Sequence, residues 1–399
     1  MRTVCGQELT EQGPLNQRGS TFPQSDNDAL PLPPTGICLG FYQRFIEGLS
    51  MVYRDSKPPC QNHCDGDIGT AEEVEMSGLR GPRLALIFPG QDARRPGMGR
   101  PWADSPSWYL AERASEVCGH DVAALLLDPV RGADHPPRTD GAQIATFVLE
   151  MVILADLRRA LPAAARPLVC AGHGLGEYSA LVAAGIVGFE EGVRLVAARG
   201  KAMQEASAAH SGTMAAVHGL SPEALERAAE SVREAGGRVW AAHLDSDRQT
   251  VLSGDPASVA RCRTLARELG AARILPVPLG GAFHTPLMAG AAAAFSTALA
   301  ATGFHRGSAP VVANADAQPH HGPDGWPGLL ERQLTGPVRW ADSVRTMADG
   351  LYCDMFVEVG PGRSLTALAR ETAPRVSRLT ISEPGQLPAV PQTLVRSAA

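Results

Sequence analysis

The sequence predicts an α/β fold, a mostly parallel sheet with helices on both faces and a second, ferredoxin-like unit inserted into it. Two observations carry this. Short apolar runs closed by Gly or Pro alternate with helical periods from residue 83 onward. Within that alternation, residues 212–278 read β-α-β-β-α-β. A third observation bounds the fold: composition shifts near residue 80, where a polar, Pro-punctuated arm gives way to the apolar alternation. The expected organisation is therefore a largely disordered extension over 1–80, a core from 81–211 and 279–385, a small subdomain over 212–278, and a tail over 386–399.

In chain order, Leu39 to Tyr53 carries Phe41, Phe45, Leu49 and Val52 at helical spacing, the one amphipathic stretch of the arm. Arg83–Phe88 is a buried strand stopped by Pro89-Gly90, and 103–127 reads as helical segments. Ala142–Leu157 is an apolar helix interrupted by Glu150 and Asp156, hence buried in protein rather than membrane-spanning. Pro167–Ala171 is a second strand, then Glu177–Ala184 and Phe189–Ala206 are helices. In the inserted unit Thr213–Val217 is a strand, and Ser221 caps a helix begun by Pro222. Val239–His243 and Thr250–Ser253 are strands around an Asp245-Ser-Asp turn, Pro256–Leu269 a helix, and Ala272–Val277 a strand. Ala289–Ala301 and Ser343–Leu351 are helices, and Pro310–Ala313 and Met355–Val359 strands.

Composition narrows function by exclusion. The chain has 399 residues, 44% hydrophobic and 20% charged, with net charge −6. That balance gives no electrostatic footprint for nucleic acid. No basic-then-apolar leader opens the chain, and eight unevenly spaced cysteines make no disulfide framework, so a reducing cytoplasm is expected. Cys60-x-x-His63-Cys64 offers three metal ligands at cramped spacing with no second pair. It reads as a thiol-bearing loop, and no metal is expected.

The informative stretch is 167–184. An apolar strand, a turn with glycines at 172, 174 and 176, and then a helix make the layout of a nucleophile elbow. Free N–H groups and the positive pole at the helix start suit an oxyanion. The middle position of such an elbow is normally Ser; here it is Gly174. A dinucleotide loop fails because the third glycine would fall at 177, which is Glu. On spacing alone, a packing turn without chemistry stays open.

The stretch Gly172-His173-Gly174-Leu175-Gly176-Glu177 resembles the active-site segment of malonyl-CoA:acyl-carrier-protein transacylases and polyketide-synthase acyltransferase domains, whose pattern is Gly-His-Ser-x-Gly-Glu. Further segments resemble the family in order over about 83–380: Phe88-Pro89-Gly90-Gln91, with Asp92 where Gly is usual; Gln143; Arg199-Gly-Lys-Ala-Met203; Gly281-Ala-Phe283-His284; Ala313-Asn314; Gln333 to Trp340; and Phe356 to Gly362. The resemblance implies an α/β-hydrolase-like core bearing the ferredoxin-like subdomain. It also implies transfer of a malonyl or related group from coenzyme A to an acyl carrier protein in fatty-acid, polyketide or antibiotic biosynthesis. The coenzyme A thioester would be substrate, with no tightly bound cofactor. A ketosynthase is a further partner this setting allows; nucleic acid and membrane are not expected.

By resemblance, His284 is the general base, and the Gln333 backbone carbonyl holds its tautomer. The N–H groups of Gln91 and Leu175 form the oxyanion hole. Arg199 grips the free carboxylate of the acyl group. His173, Met203, Phe283 and Asn314 complete the substrate site. Ala282-Phe283-His284 is closer to the malonyl signature than to the methylmalonyl one, which has Ser before His.

Gly174 removes the covalent route, since nothing in its side chain can attack a thioester. Ser179, five residues along the helix and about one and a half turns away, is too far to substitute. Three readings follow: an acyltransferase working without an acyl-serine; a hydrolase whose water occupies the hydroxymethyl space at 174, editing carrier-protein acyl groups; and a non-catalytic protein that binds acyl-CoA or carrier protein and helps a synthase select its substrate.

Overall fold

The computed structural model describes residues 83–128, 138–162 and 165–397. The expected helix over 39–53 and the cluster at Cys60, His63 and Cys64 lie outside these residues. Six strands form the main sheet: β1 (Leu84–Phe88), β2 (Val169–Gly172), β7 (Val311–Val312), β8 (Pro319–His320), β9 (Met355–Val359) and β10 (Ser377–Ile381), in the order β10-β9-β1-β2-β7-β8. Every pairing is parallel except β7 with β8. A strand buried on both faces needs no polar alternation, and β1 and β2 are buried along their whole length.

Helix α1 spans Tyr109–Cys118 and α2 Val122–Leu127. Helix α3 (Thr139–Ala160) is nearly all buried. Its Phe147, Val148, Met151 and Leu154 join Leu86, Phe88 and Val357 in the main core. Asp156 accepts from Ser107 Oγ at 2.7 Å, and Glu150 Oε2 accepts from Ser179 Oγ, while among the described residues Glu150 Oε1 has no hydrogen-bond partner. No described helix is long and apolar enough to cross a membrane. Helices α4 (Gly176–Ala184) and α5 (Phe189–Ala209) follow β2.

The second sheet contains β3 (Thr213–His218), β4 (Val239–Ser246), β5 (Gln249–Gly254) and β6 (Arg273–Val277), all antiparallel, in the order β4-β5-β3-β6. With α6 (Pro222–Glu234) and α7 (Pro256–Glu268) it makes the ferredoxin-like arrangement and closes its own core around Leu225, Val232, Leu252 and Val259. Ser221 Oγ caps α6 by accepting from Ala224 N–H, and Asp255 caps α7 by accepting from Ser258 N–H. Strand β4 is stitched to the main body: Leu244 N–H donates to the Val338 carbonyl, and Val338 N–H to the Ala242 carbonyl, each at 2.9 Å.

Several elements differ from expectation. Strand β4 runs through Asp245, which was expected in a turn; the turn is instead Asp247-Arg248. The carboxylate is held in the strand because a buried imidazole binds it (below). The stretch expected as one helix over 343–351 is α10 (Trp340–Arg345) widening into a π turn over Thr346–Gly350. Helices α8 (Ala289–Ala300), α9 (Trp326–Thr335) and α11 (Ser364–Thr372) complete the body; α9 and α11 were not read from sequence. The segment expected as a tail carries α12 (Ala389–Ser397), whose Val390 and Leu394 enter the main core.

Candidate active site

Parallel sheets expose their loops and free N–H groups at the strands' carboxyl ends, and ligands collect there. In register, Phe88 at the end of β1 lies beside Gly172 at the end of β2, so the loops after both strands emerge together. The turn after β2 requires its glycines. A Cβ on Gly172 would stand 1.9 Å from the Gly176 carbonyl carbon, and one on Gly176 would stand 2.0 Å from the Phe88 carbonyl oxygen. Gly174 between them has φ +56°, a left-handed apex that glycine adopts without strain.

The elbow is braced from beneath. Gly174 N–H donates to Asn314 Oδ1 at 2.8 Å, and Asn314 Nδ2 donates to the Gly172 carbonyl at 2.6 Å. Gln333 Nε2 donates to both the Gly174 carbonyl and Glu177 Oε2, each at 2.6 Å. Asn314 and Gln333 are fully buried. Asn314 does not line the pocket, contrary to its expected place in the substrate site. It fixes the backbone of the bend.

His284 faces the apex. Its Nε2 would lie 3.3 Å from a Cβ on residue 174, and its Nδ1 lies 2.7 Å from the Gln333 carbonyl oxygen. That carbonyl can only accept, so Nδ1 carries the proton and Nε2 keeps a lone pair toward Gly174. His284 itself has φ +58°, an uncommon conformation for a residue with a side chain. Burial, and then the Arg199 charge, hold its pKa down at about 3, so the ring is neutral.

Arg199, only 1% exposed, enters from α5. It donates to Gln143 Oε1 at 2.7 Å and to Gln333 Oε1 at 3.0 Å, and its guanidinium stands 5.3 Å from the centre of the Tyr178 ring. None of these partners is an anion. Among the described residues Arg199 Nε has no hydrogen-bond partner. The cation is thus buried with its charge unmatched by a direct ion pair. Glu177, beside Gln333, is pushed up to about 7 by burial, opposed by the Asn314 N–H and the Gln333 amide.

One pocket gathers most of the expected residues. Gln91, Gly174, Leu175 and His284 line it, and so do Arg199, Met203, Phe283 and His173. Gln91 and Leu175 each stand at the first turn of a helix, where an N–H has no intrahelical acceptor. Asp92, exposed at the mouth, has its pKa raised by the enclosing protein and is partly offset by His173.

Two wall residues were missed from sequence, His243 and Leu279. His243 packs edge-on against both His173 (ring centroids 4.7 Å apart) and His284 (5.2 Å). Burial and then His173 hold its pKa well below the ordinary imidazole value. His173 Nε2 pairs with Asp245 Oδ1 at 2.9 Å. Burial pulls the His173 pKa down, but the Asp245 hydrogen bond and charge outweigh it and the net shift is upward; Asp245 is lowered correspondingly. His243-Leu-Asp245 at strand spacing was the available signal, since residues two apart share one face. It was hidden by ending the strand at His243.

Ser179 is no substitute nucleophile. It is fully buried in α4 and donates to Glu150.

The acyl transferase domain model matches residues 85–383. The malonyl CoA-acyl carrier protein transacylase of Bacillus subtilis is 33% identical over 315 residues, covering 78% of this chain and 97% of that protein. The polyketide biosynthesis protein ThaF of Burkholderia thailandensis is 36% identical over 293 residues, 73% of this chain and 24% of that much longer protein. Among solved structures, an acyl carrier protein S-malonyltransferase from Vibrio cholerae superposes with a TM-score of 0.72 at 33% identity, covering 77% of this chain and 99% of that one.

Proposed function

The chain belongs to the acyl transferase domain family, and from that premise we propose that it moves a malonyl or related carboxylated acyl group from coenzyme A to an acyl carrier protein without an acyl-enzyme. The observation that carries this reading is Arg199, a buried guanidinium lining the same pocket as His284 and Gly174. An unmatched buried cation is costly unless an anion completes it. The free carboxylate of a malonyl group is such an anion, and it would place the thioester carbon near the apex.

The nucleophile then comes from outside the chain. The carrier's phosphopantetheine thiol gives its proton to His284 Nε2 and attacks the thioester carbonyl. The N–H groups of Gln91 and Leu175 take up the negative charge on oxygen. The tetrahedral adduct collapses, the C–S bond to coenzyme A breaks, and the His284 proton returns to the departing thiolate. Phe283 and Met203 wall the acyl chain, while Gln333 and Asn314 hold base and bend. The transfer itself requires no prosthetic group, and coenzyme A and carrier protein as partners support fatty-acid or polyketide synthesis in the cytoplasm as its setting.

The space left at residue 174 favours one second reading. Water there, beside His284 Nε2, would hydrolyse the thioester instead, making the protein an editor of carrier-bound acyl groups. Incubation with labelled malonyl-CoA and holo carrier protein separates the two. Malonyl carrier protein above background, with no mass adduct on the chain, is the expected result. Free malonate that disappears in His284→Ala would favour the hydrolase. Neither product overturns both.

A further inference from the structure

We infer that His173, His243 and Asp245 form a binding site for a borderline divalent transition metal, zinc or a zinc-like ion, in the wall of the pocket beside Gly174. This goes beyond the thioester reading and stands independently of it. The ligand atoms come from two elements. His173 sits in the elbow after β2, and His243 and Asp245 lie two apart on β4, whose register shifts between Leu244 and Ser246. One ligand atom from each falls within 4.8 Å of the others. A tetrahedral cation with bonds of ~2.0–2.2 Å needs its ligands roughly 3.3–3.6 Å apart. The His173–Asp245 pair, at 2.9 Å, and the 4.8 Å limit bracket that span.

Three features go beyond proximity. All three side chains are more than nine-tenths buried. His243 lines the pocket, and among the described residues no protein group hydrogen-bonds its ring. A buried, unpartnered imidazole facing a cavity is a donor awaiting an acceptor. The carboxylate also has an outer support: Gln249 Nε2 donates to Asp245 Oδ2 at 2.9 Å, leaving Oδ1 aimed at His173. Ligands oriented in this way are the mark of a metal site. The His173–Asp245 hydrogen bond is what such a pair forms when a proton rather than a cation lies between them.

Two imidazole nitrogens and one carboxylate oxygen select zinc, cobalt or nickel over calcium or magnesium. Three protein ligands leave a fourth position for water. His173 and His243 both line the pocket shared by Gly174 and His284, so water in that pocket could supply it.

The test is a cobalt(II) titration of the full-length chain carrying Cys60→Ser and Cys64→Ser, which removes the thiols of the N-terminal cluster. Visible bands of four-coordinate cobalt, saturating at equimolar metal and lacking a thiolate charge-transfer band, are expected. Zinc should bleach them. His243→Ala and Asp245→Asn should each weaken binding about 10-fold or more. His320→Ala, in an imidazole–carboxylate pair at the surface with Asp316, should change nothing. If His243→Ala fails to fold by circular dichroism, His243→Gln keeps the volume and gives the same readout. Absence of the bands, or bands that persist in the His243 and Asp245 variants, overturns the site.

Discussion

Gly174 and His284 face each other at the distance a side chain would fill: a Cβ on 174 would stand 3.3 Å from His284 Nε2. Both residues have left-handed backbones, at φ +56° and +58°. The base, its carbonyl partner and the left-handed bend are all present, and only the hydroxyl is missing.

Restoring that hydroxyl should restore covalent chemistry. Gly174→Ser needs His284 to move a few tenths of an ångström and places Ser in a left-handed conformation, costing about 1–2 kcal/mol. Malonyl transfer should nonetheless rise by about 10³-fold or more. Intact mass spectrometry should show a malonyl adduct on the variant and none on the parent.

Arg199 should set preference for a carboxylated acyl group. Arg199→Ala is expected to weaken malonyl-CoA binding by about 100-fold and acetyl-CoA binding by about 3-fold or less, measured by calorimetry. Arg199→Lys should not rescue it, because the planar fork that reaches both Gln143 and Gln333 is lost.

His284 makes the pH dependence unusual. Its folded pKa of about 3 lies below the ordinary imidazole value of 6.5. Below pH 6.5 the unfolded chain takes a proton that the folded chain refuses, so stability falls as pH drops toward about 3; above 6.5 this group adds no slope. The expected slope is about 1.4 kcal/mol per pH unit. Urea melts at pH 5 and pH 7 should show a smaller difference for His284→Gln than for the parent. Turnover should hold its rate through the ordinary imidazole range, where an exposed base would lose activity.

Asn314→Leu should destabilise the bend. It leaves the Gly174 N–H and Gly172 carbonyl without their partners, at about 1–3 kcal/mol for each group. A lower urea midpoint with an unchanged m-value is expected.

Asp92 places a carboxylate at the pocket mouth beside Gln91. In the Gly174→Ser background, Asp92→Asn should raise transfer by about 10-fold by removing like charge near the developing oxyanion. Steady-state kinetics at two salt concentrations would check it, since high salt should shrink the gain.

Much of the site was legible because its residues lie in short segments whose order and chemistry are distinctive: the glycine turn at 172–176, His284 after Phe283, Gln333 before Gly336. Buried strands such as Leu84–Phe88 declared themselves as apolar runs. What stayed hidden depends on contact rather than on local sequence. Asp245 reads as a turn residue until His173, seventy-two positions away, gives it a partner. Helix α9 begins Trp326-Pro-Gly328, which looks like a break, yet Pro in the first turn is compatible with a helix. Asn314 resembles a ligand-binding residue, and only its burial beneath the elbow makes it a brace.

The closing helix, Ala389–Ser397, has a bearing on handling the protein. Val390 and Leu394 plug the main core. A fusion partner joined after Ser397 leaves the plug seated. Trimming back to Leu387 uncorks an apolar socket that water fills poorly and a neighbouring molecule fills well, so the shortened protein should clump.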